Sequence, residues 1–470
     1  MLLIFNETSM SEFITWKYTL SVWDAILPPF YLLFILLYAY TVKLRKINRY
    51  NEYKFYISGL SIKIAGGLFF AFIYLFHYDG GDTTEYFRSS LSLLNLAKVD
   101  FGKYFSIMLG HLTPENASLF GPKIGDCPYY SDYQSYAVVR FSSIFVFLAG
   151  KSYITTTILI AAFTFSGLWS LFRLLYYQFP KNKATSAFAV LFIPSTLFWG
   201  SGILKDSYTL MGTCLLFVSF YKMSVLHKNI FKNILIMLFA AYLLLSIKPY
   251  IFFALAASFI LVLIYMNITL IKNKVLRITV VPVSIIIVLI IGINLLLKTG
   301  ETIGGQYSSL ENMLKKASIN QYDLKQAYYG GNSFDIGSFE PTIAGVASKI
   351  PKAVIAGLFR PYIWESKNMV MFISGLENSI FLFLSLYVVF LSFFTWRKYG
   401  FKYMRQVLLS DVFIVFSLSF CFIFSFFIGI STANFGALVR YKIPLIPFFM
   451  ASLFIIVQNF NIEKEEKKTS

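Results

Sequence analysis

Apolar residues in this chain come in long unbroken runs rather than at the spacing of a one-faced surface helix. The runs fall at roughly 25–42, 57–77, 153–176, 185–200, 207–222, 233–247, 250–270, 278–297, 374–395, 410–429 and 442–459. At about 1.5 Å per residue, each is long enough, or nearly so, to cross a hydrocarbon layer about 30 Å thick. The pattern predicts an all-α fold, a polytopic transmembrane helical bundle of about eleven spans. It forms one membrane domain over residues 1–470.

The loops between the runs alternate in charge. Lys43, Arg45, Lys46, Arg49 and Lys54 follow the first run, and Lys181 and Lys183 the third. Lys222, Lys228 and Lys232 follow the fifth, and Lys272, Lys274 and Arg277 the seventh. Arg397, Lys398, Lys402 and Arg405 follow the ninth. Basic residues hold short loops on the cytoplasmic side. The alternation therefore predicts the N-terminus outside, a cytoplasmic Lys-rich tail at about 460–470, and two long extracytoplasmic loops, 78–152 and 298–373. Residues 137–150 are apolar but short and include Arg140. A crossing there would put Lys181 and Lys183 outside, so this stretch is expected to lie at the interface or to re-enter.

Composition narrows the function classes. Hydrophobic residues make up 57% and charged residues 14%, against about one quarter charged in soluble domains. The net charge of +18 would suggest nucleic acid in a soluble protein. Here the cations sit in loops where topology and anionic membrane lipids account for them, and no nucleic-acid module is present. The three cysteines, Cys127, Cys214 and Cys421, show no paired spacing, and the three histidines are scattered. Neither a zinc site nor a disulfide framework is expected. The N-terminus lacks a cleavable signal pattern, so the first run would serve as the membrane signal.

Charges at a membrane face are costly unless hydrated or used, so the outer polar clusters are the candidate chemistry. Tyr78-Asp79-Gly80-Gly81-Asp82-Thr83-Thr84-Glu85-Tyr86 sets Asp79, Asp82 and Glu85 around a Gly-Gly turn. Such carboxylates can take a proton from a sugar hydroxyl or hold a divalent cation such as Mg or Mn; the plainer reading is a solvated turn capping the next helix. Lys205 and Asp206 follow Trp199-Gly200-Ser201-Gly202, as a phosphate contact and a polarising group or as an internal pair with a cap. Lys248 stands at the break made by Pro249, as a substrate-binding cation or as the lone lysine that ordinarily snorkels there. Arg360, among Phe359, Tyr362 and Trp364 and close to Glu365, suits a phosphate or sugar contact, although the aromatics also suit interface anchors. Glu377, inside a run, needs a partner. Asn434, Arg440 and Lys442 gather polar and basic groups at the start of the last run, and Arg440, where the charge rule least expects a cation, suits an anion.

The acidic Tyr78–Tyr86 stretch, the long first outer loop, the short interfacial helix and the many spans resemble the GT-C class of membrane glycosyltransferases. Asn434…Gly436…Arg440…Pro444…Pro447 resembles polytopic proteins of bacterial surface-polysaccharide synthesis, including O-antigen and exopolysaccharide repeat-unit polymerases. The resemblance implies a polyprenyl-phosphate-linked sugar donor and transfer to an acceptor on the extracytoplasmic face of a bacterial cell membrane. It implies Asp79 or Asp82 as the base, and Arg360 and Arg440 as phosphate ligands. The chain departs from the pattern by one extra span before the acidic loop and by having no soluble C-terminal domain. Two readings from other classes compete: a lipid-oligosaccharide flippase, which would bury charges at mid-membrane and show inverted repeats, and a noncatalytic assembly subunit, which would need no carboxylate.

Overall fold

Most of the apolar runs fold as the helices their length requires. The computed structural model describes residues 20–267, 315, 318–319, 321–323 and 333–469. Among them it is all helix and loop, with no strand. Seven helices are long and apolar enough to cross a membrane: Trp23–Lys46, Asn51–Phe76 (the α-helix Tyr56–Phe76 with its leading turn), Tyr153–Gln178, Ile230–Ile247, Pro249–Asn267, Met369–Tyr399 and Val412–Ser431. An eighth arises if Phe435–Tyr441 and Ile446–Asn461, bent by 69°, are one span. The expected span at 278–297, the loop cations Lys272, Lys274 and Arg277 and much of the 298–373 loop lie outside the described residues.

Two expected spans take a different form, for local reasons. The 185–200 run is two short helices, Lys183–Leu191 and Pro194–Trp199. Pro194 has no N–H to continue a helix, and Ile193 before it is extended, with ψ 123°. The 207–222 run is the helix Lys205–Ser224. It is less apolar than the seven because it buries Ser207, Thr209, Thr213 and Ser219. The 137–150 stretch belongs to the helix Tyr133–Leu148, which buries Ser135, Arg140, Ser142 and Ser143.

The described residues gather into two compact units. The first comprises those of Met1–Arg173, Leu191–Ser219 and Ile230–Lys248, and the second those of Leu174–Val190, Phe220–Asn229 and Pro249–Ser470. Within the first, the helix Asp82–Val99 packs on Tyr133–Leu148, which also packs on Ile230–Ile247. Pro194–Trp199 lies on Tyr56–Phe76. Lys63, in the middle of that last helix, is fully buried and donates to the Gly200 carbonyl at 2.5 Å and to Ser201 Oγ at 3.3 Å. Those partners satisfy a group that would otherwise be very costly among apolar side chains.

Within the second unit, Val412–Ser431 is the central helix, touching Pro249–Asn267, Ile350–Phe359 and Ile446–Thr469. Its closest neighbour is Ile350–Phe359. A Cβ on Gly357 would run into the Ser425 carbonyl, and one on Gly429 into the Ala353 carbonyl. Reciprocal glycines let two backbones approach to a distance that any larger residue forbids. Phe413, Phe416, Phe420 and Phe424 continue the packed face.

Candidate functional site

The helix Tyr56–Phe76 ends in a turn that only certain residues can make. Asp79 has φ 55°, Gly80 110° and Gly81 139°. Two consecutive glycines remove the Cβ penalty there, and Asp is among the few other residues that tolerate the left-handed region. The Gly80 N–H donates to the Tyr74 carbonyl at 2.7 Å, closing the turn. Thr84 Oγ1 accepts from the Gly81 N–H at 3.1 Å, starting the helix Asp82–Val99. Asp79 is exposed, whereas Asp82 is partly sheltered in the first helical turn, where the positive end of the helix dipole favours a carboxylate.

The segment before the helix Tyr133–Leu148 supplies a partner for Asp82. Tyr129 donates its hydroxyl to Asp82 Oδ1 at 3.0 Å and sets its ring 4.8 Å from that of Tyr86. Three residues on, Asp132 caps the helix Tyr133–Leu148, accepting from the Gln134 N–H at 3.1 Å and from the Ser135 hydroxyl. Lys205 Nζ lies 3.5 Å from Asp132 Oδ2. Burial alone would raise the Asp132 carboxyl, but the Lys205 ammonium and the Ser135 and Gln134 donors outweigh it and hold the group below its usual range. Lys205 is four-fifths buried, and that burial pushes its ammonium below the usual lysine value. The carboxylates of Asp132, Asp82 and Asp206 oppose the shift. Residues 129–132 therefore gather Asp82, held by Tyr129, and Lys205, held by Asp132, on one short segment.

Lys205 and Asp206 do not pair with each other. Asp206 is fully buried in the first turn of Lys205–Ser224 and binds Lys248, with Nζ 2.6 Å from Oδ1. Lys248 is thus a buried ion-pair partner and does not reach to the surface. Glu85 pairs with Arg88 at 2.9 Å, both about one third exposed.

The remaining expected site residues belong to the second unit. Arg360 clasps Glu365 with two nitrogens, Nε at 2.9 Å from Oε1 and Nη2 on the same oxygen. Its guanidinium stands 5.2 Å from the Phe334 ring centre and 5.6 Å from that of Phe435. Glu365 also accepts the Tyr362 N–H at 2.9 Å. Lys442 donates to the Arg360 carbonyl at 3.0 Å and to Asn378 Oδ1 at 2.5 Å, and Glu377 is the acidic group acting on it. Asn434 caps the helix Phe435–Tyr441 through the Ala437 N–H. Arg440 lies in the last turn of that helix.

Several of these residues escape a reading of the sequence alone. Asp132 and Tyr129 carry only the weak signal of a polar Pro-Tyr-Tyr-Ser-Asp stretch before an apolar run. Lys63 carries the stronger signal of a cation within an apolar run. Arg140 is buried, donates to the Met108 carbonyl at 3.3 Å and faces the Tyr133 ring at 5.4 Å. Among the described residues no group of three or more His, Cys, Asp or Glu converges as metal ligands. Comparison with models of known protein families, with curated proteins and with solved structures finds no match.

Proposed function

We propose that this chain is a membrane glycosyltransferase that moves a sugar or oligosaccharide from a polyprenyl-phosphate-linked donor to an acceptor hydroxyl on the extracytoplasmic face. In this reading it crosses a bacterial cell membrane about eleven times, with its N-terminus outside and its C-terminus cytoplasmic. The observation that supports the reading is the Asp82–Asp132–Lys205 neighbourhood, built at the N-terminal ends of three helices, Asp82–Val99, Tyr133–Leu148 and Lys205–Ser224.

The parts have complementary work to do. The Tyr129 hydroxyl orients the Asp82 carboxylate, which takes the proton from the acceptor hydroxyl as its oxygen attacks the anomeric carbon. The carbon–oxygen bond to the donor phosphate breaks, and the phosphate leaves with the electron pair. The Lys205 ammonium and the helix N-termini offset the charge that develops on it. Asp132 holds Lys205 in place, and the buried Asp206–Lys248 pair fixes the start of the helix that carries it.

The test is the lipid-linked sugar pool of a strain lacking the chain, complemented with wild type, Asp82→Asn or Asp132→Asn. Wild type is expected to clear the accumulated donor. Asp82→Asn is expected to insert normally and leave the donor in place. Full clearance by Asp82→Asn would overturn the assignment.

A further inference from the structure

A second feature of the first unit lies apart from the acidic turn. The helices Trp23–Lys46, Tyr56–Phe76 and Tyr153–Gln178 bound a groove of about 460 Å³ lined by Phe34, Tyr38, Leu60, Ala162, Phe165 and Trp169. That volume falls in the roughly 300–1,000 Å³ range of small-molecule sites. Its walls are largely apolar, and the Ser170 hydroxyl on its border is already used, donating to the Ser166 carbonyl at 2.7 Å. Phe34 and Tyr38 are strongly exposed, so the groove opens sideways between helices of membrane-crossing length.

One end of the groove runs into cations. Trp169 stacks on Phe165 at 5.9 Å, meets Tyr56 at 4.8 Å and meets Tyr53 edge-on at 5.2 Å. Arg173 stands over Tyr53 and Tyr50 at 5.5 Å each. Lys46 lies 5.3 Å from the Tyr53 ring centre and donates to its hydroxyl at 3.3 Å. Arg49 covers Tyr50 at 5.4 Å. Among the described residues the carboxylate set against these three cations is Glu52, fully buried and 2.9 Å from Arg173 Nε. The end of the groove therefore keeps a net positive charge. An apolar channel, then amphipathic aromatics, then an excess of cations matches the layering of a lipid from acyl chain through the interfacial region to phosphate.

We infer that this groove binds one anionic phospholipid, with an acyl chain along Phe34, Leu60 and Ala162 and its phosphate at Lys46, Arg49 and Arg173. A zwitterionic lipid brings its own cation and loses part of this attraction, so charge complementarity selects the anionic class. The inference requires the helices to lie in a bilayer and is independent of the glycosyltransferase reading.

Full-length protein in vesicles gives the test, because Trp169 lines the groove and bromine on an acyl chain quenches tryptophan emission. The Trp169 signal is the difference between wild type and Trp169→Phe. Dibrominated phosphatidylglycerol is expected to quench it at a lower mole fraction than phosphatidylcholine with the same chains. In Lys46→Gln/Arg49→Gln that preference is expected to fall on the order of tenfold. High salt is expected to weaken it in wild type, a control that needs no variant to fold. Ala162→Phe is expected to abolish quenching by both lipids. Equal quenching of wild type by the two lipids would reduce the groove to ordinary lipid contact and overturn the inference. A preference unchanged by both salt and the double substitution would do the same.

Discussion

Lys248 Nζ lies 2.6 Å from Asp206 Oδ1, with both side chains closed off from solvent. The pair joins the end of the helix Ile230–Ile247 to the start of Lys205–Ser224, 42 residues apart in the chain. Its energetics follow from burial. Two charges out of water are tolerable as a pair, and removing one takes away the closest group that holds the other. Lys248→Met or Asp206→Leu should therefore destabilise the protein by about 3–5 kcal/mol. The double variant Lys248→Met/Asp206→Leu should recover most of that loss. Thermal unfolding of the three variants in detergent checks this; additive losses would show that the two groups act independently.

The Asp132–Lys205 pair gives a pH dependence of defined sign. The Asp132 carboxyl is held below its ordinary value of 3.8, so the folded form binds protons less readily than the unfolded form. Its contribution is present above that ordinary value and is lost as pH falls through the lowered folded value. Asp132 is 51% exposed, so the effect is small, about 0.2–1 kcal/mol. Melting curves from neutral to acid pH should show a shallower acid decline in Lys205→Met than in wild type. An unchanged slope would count against the pairing.

The crossing of Ile350–Phe359 and Val412–Ser431 depends on the absence of two side chains. Gly357→Ala or Gly429→Ala places a methyl against a backbone carbonyl that has nowhere to go. Each should cost about 1–3 kcal/mol through overpacking. Gly400, whose surroundings leave a Cβ unopposed, separates two causes. Its φ of 85° makes Gly400→Ala a strain effect alone. Folded yield and melting temperature of the three variants provide the comparison.

Arg360 should not tolerate lysine. Its planar fork meets Glu365 with two nitrogens and faces the Phe334 and Phe435 rings at the same time. An ammonium reproduces neither the two-point contact nor the stacking. Arg360→Lys should lose about 1–3 kcal/mol, the scale of a hydrogen bond to a charged group. A melting temperature equal to wild type would place the ion pair among contacts of no consequence.

How much of this could be read from the chain divides along a physical line. Apolar runs declare helices directly, because a buried helix needs only length and hydrophobicity. Trp23–Lys46, Tyr153–Gln178 and Val412–Ser431 fall close to the expected runs for that reason. The 185–200 run has the length of a span, but Pro194 within it divides the helix in two. Charge pairing could not be read at all. Adjacent Lys205 and Asp206 suggested each other, and the fold gives each a distant partner, Asp132 and Lys248. Partner choice depends on which helix ends meet, a property of the tertiary arrangement that no local pattern encodes. Glu377 is a partial exception: a carboxylate within an apolar run demanded a partner, and Lys442, held by the neighbouring Asn378, is a cation that its charge acts on.

The most direct measurement of the central claim is donor turnover in membranes carrying wild-type or Asp82→Asn protein at equal inserted amounts, followed as loss of polyprenyl-linked sugar and gain of glycosylated acceptor. The expected result is turnover with wild type and a fall of at least about a hundredfold with Asp82→Asn, the scale of a lost general base. Equal turnover by the two proteins, or none by wild type supplied with the donor pool of its own deletion strain, would contradict the account.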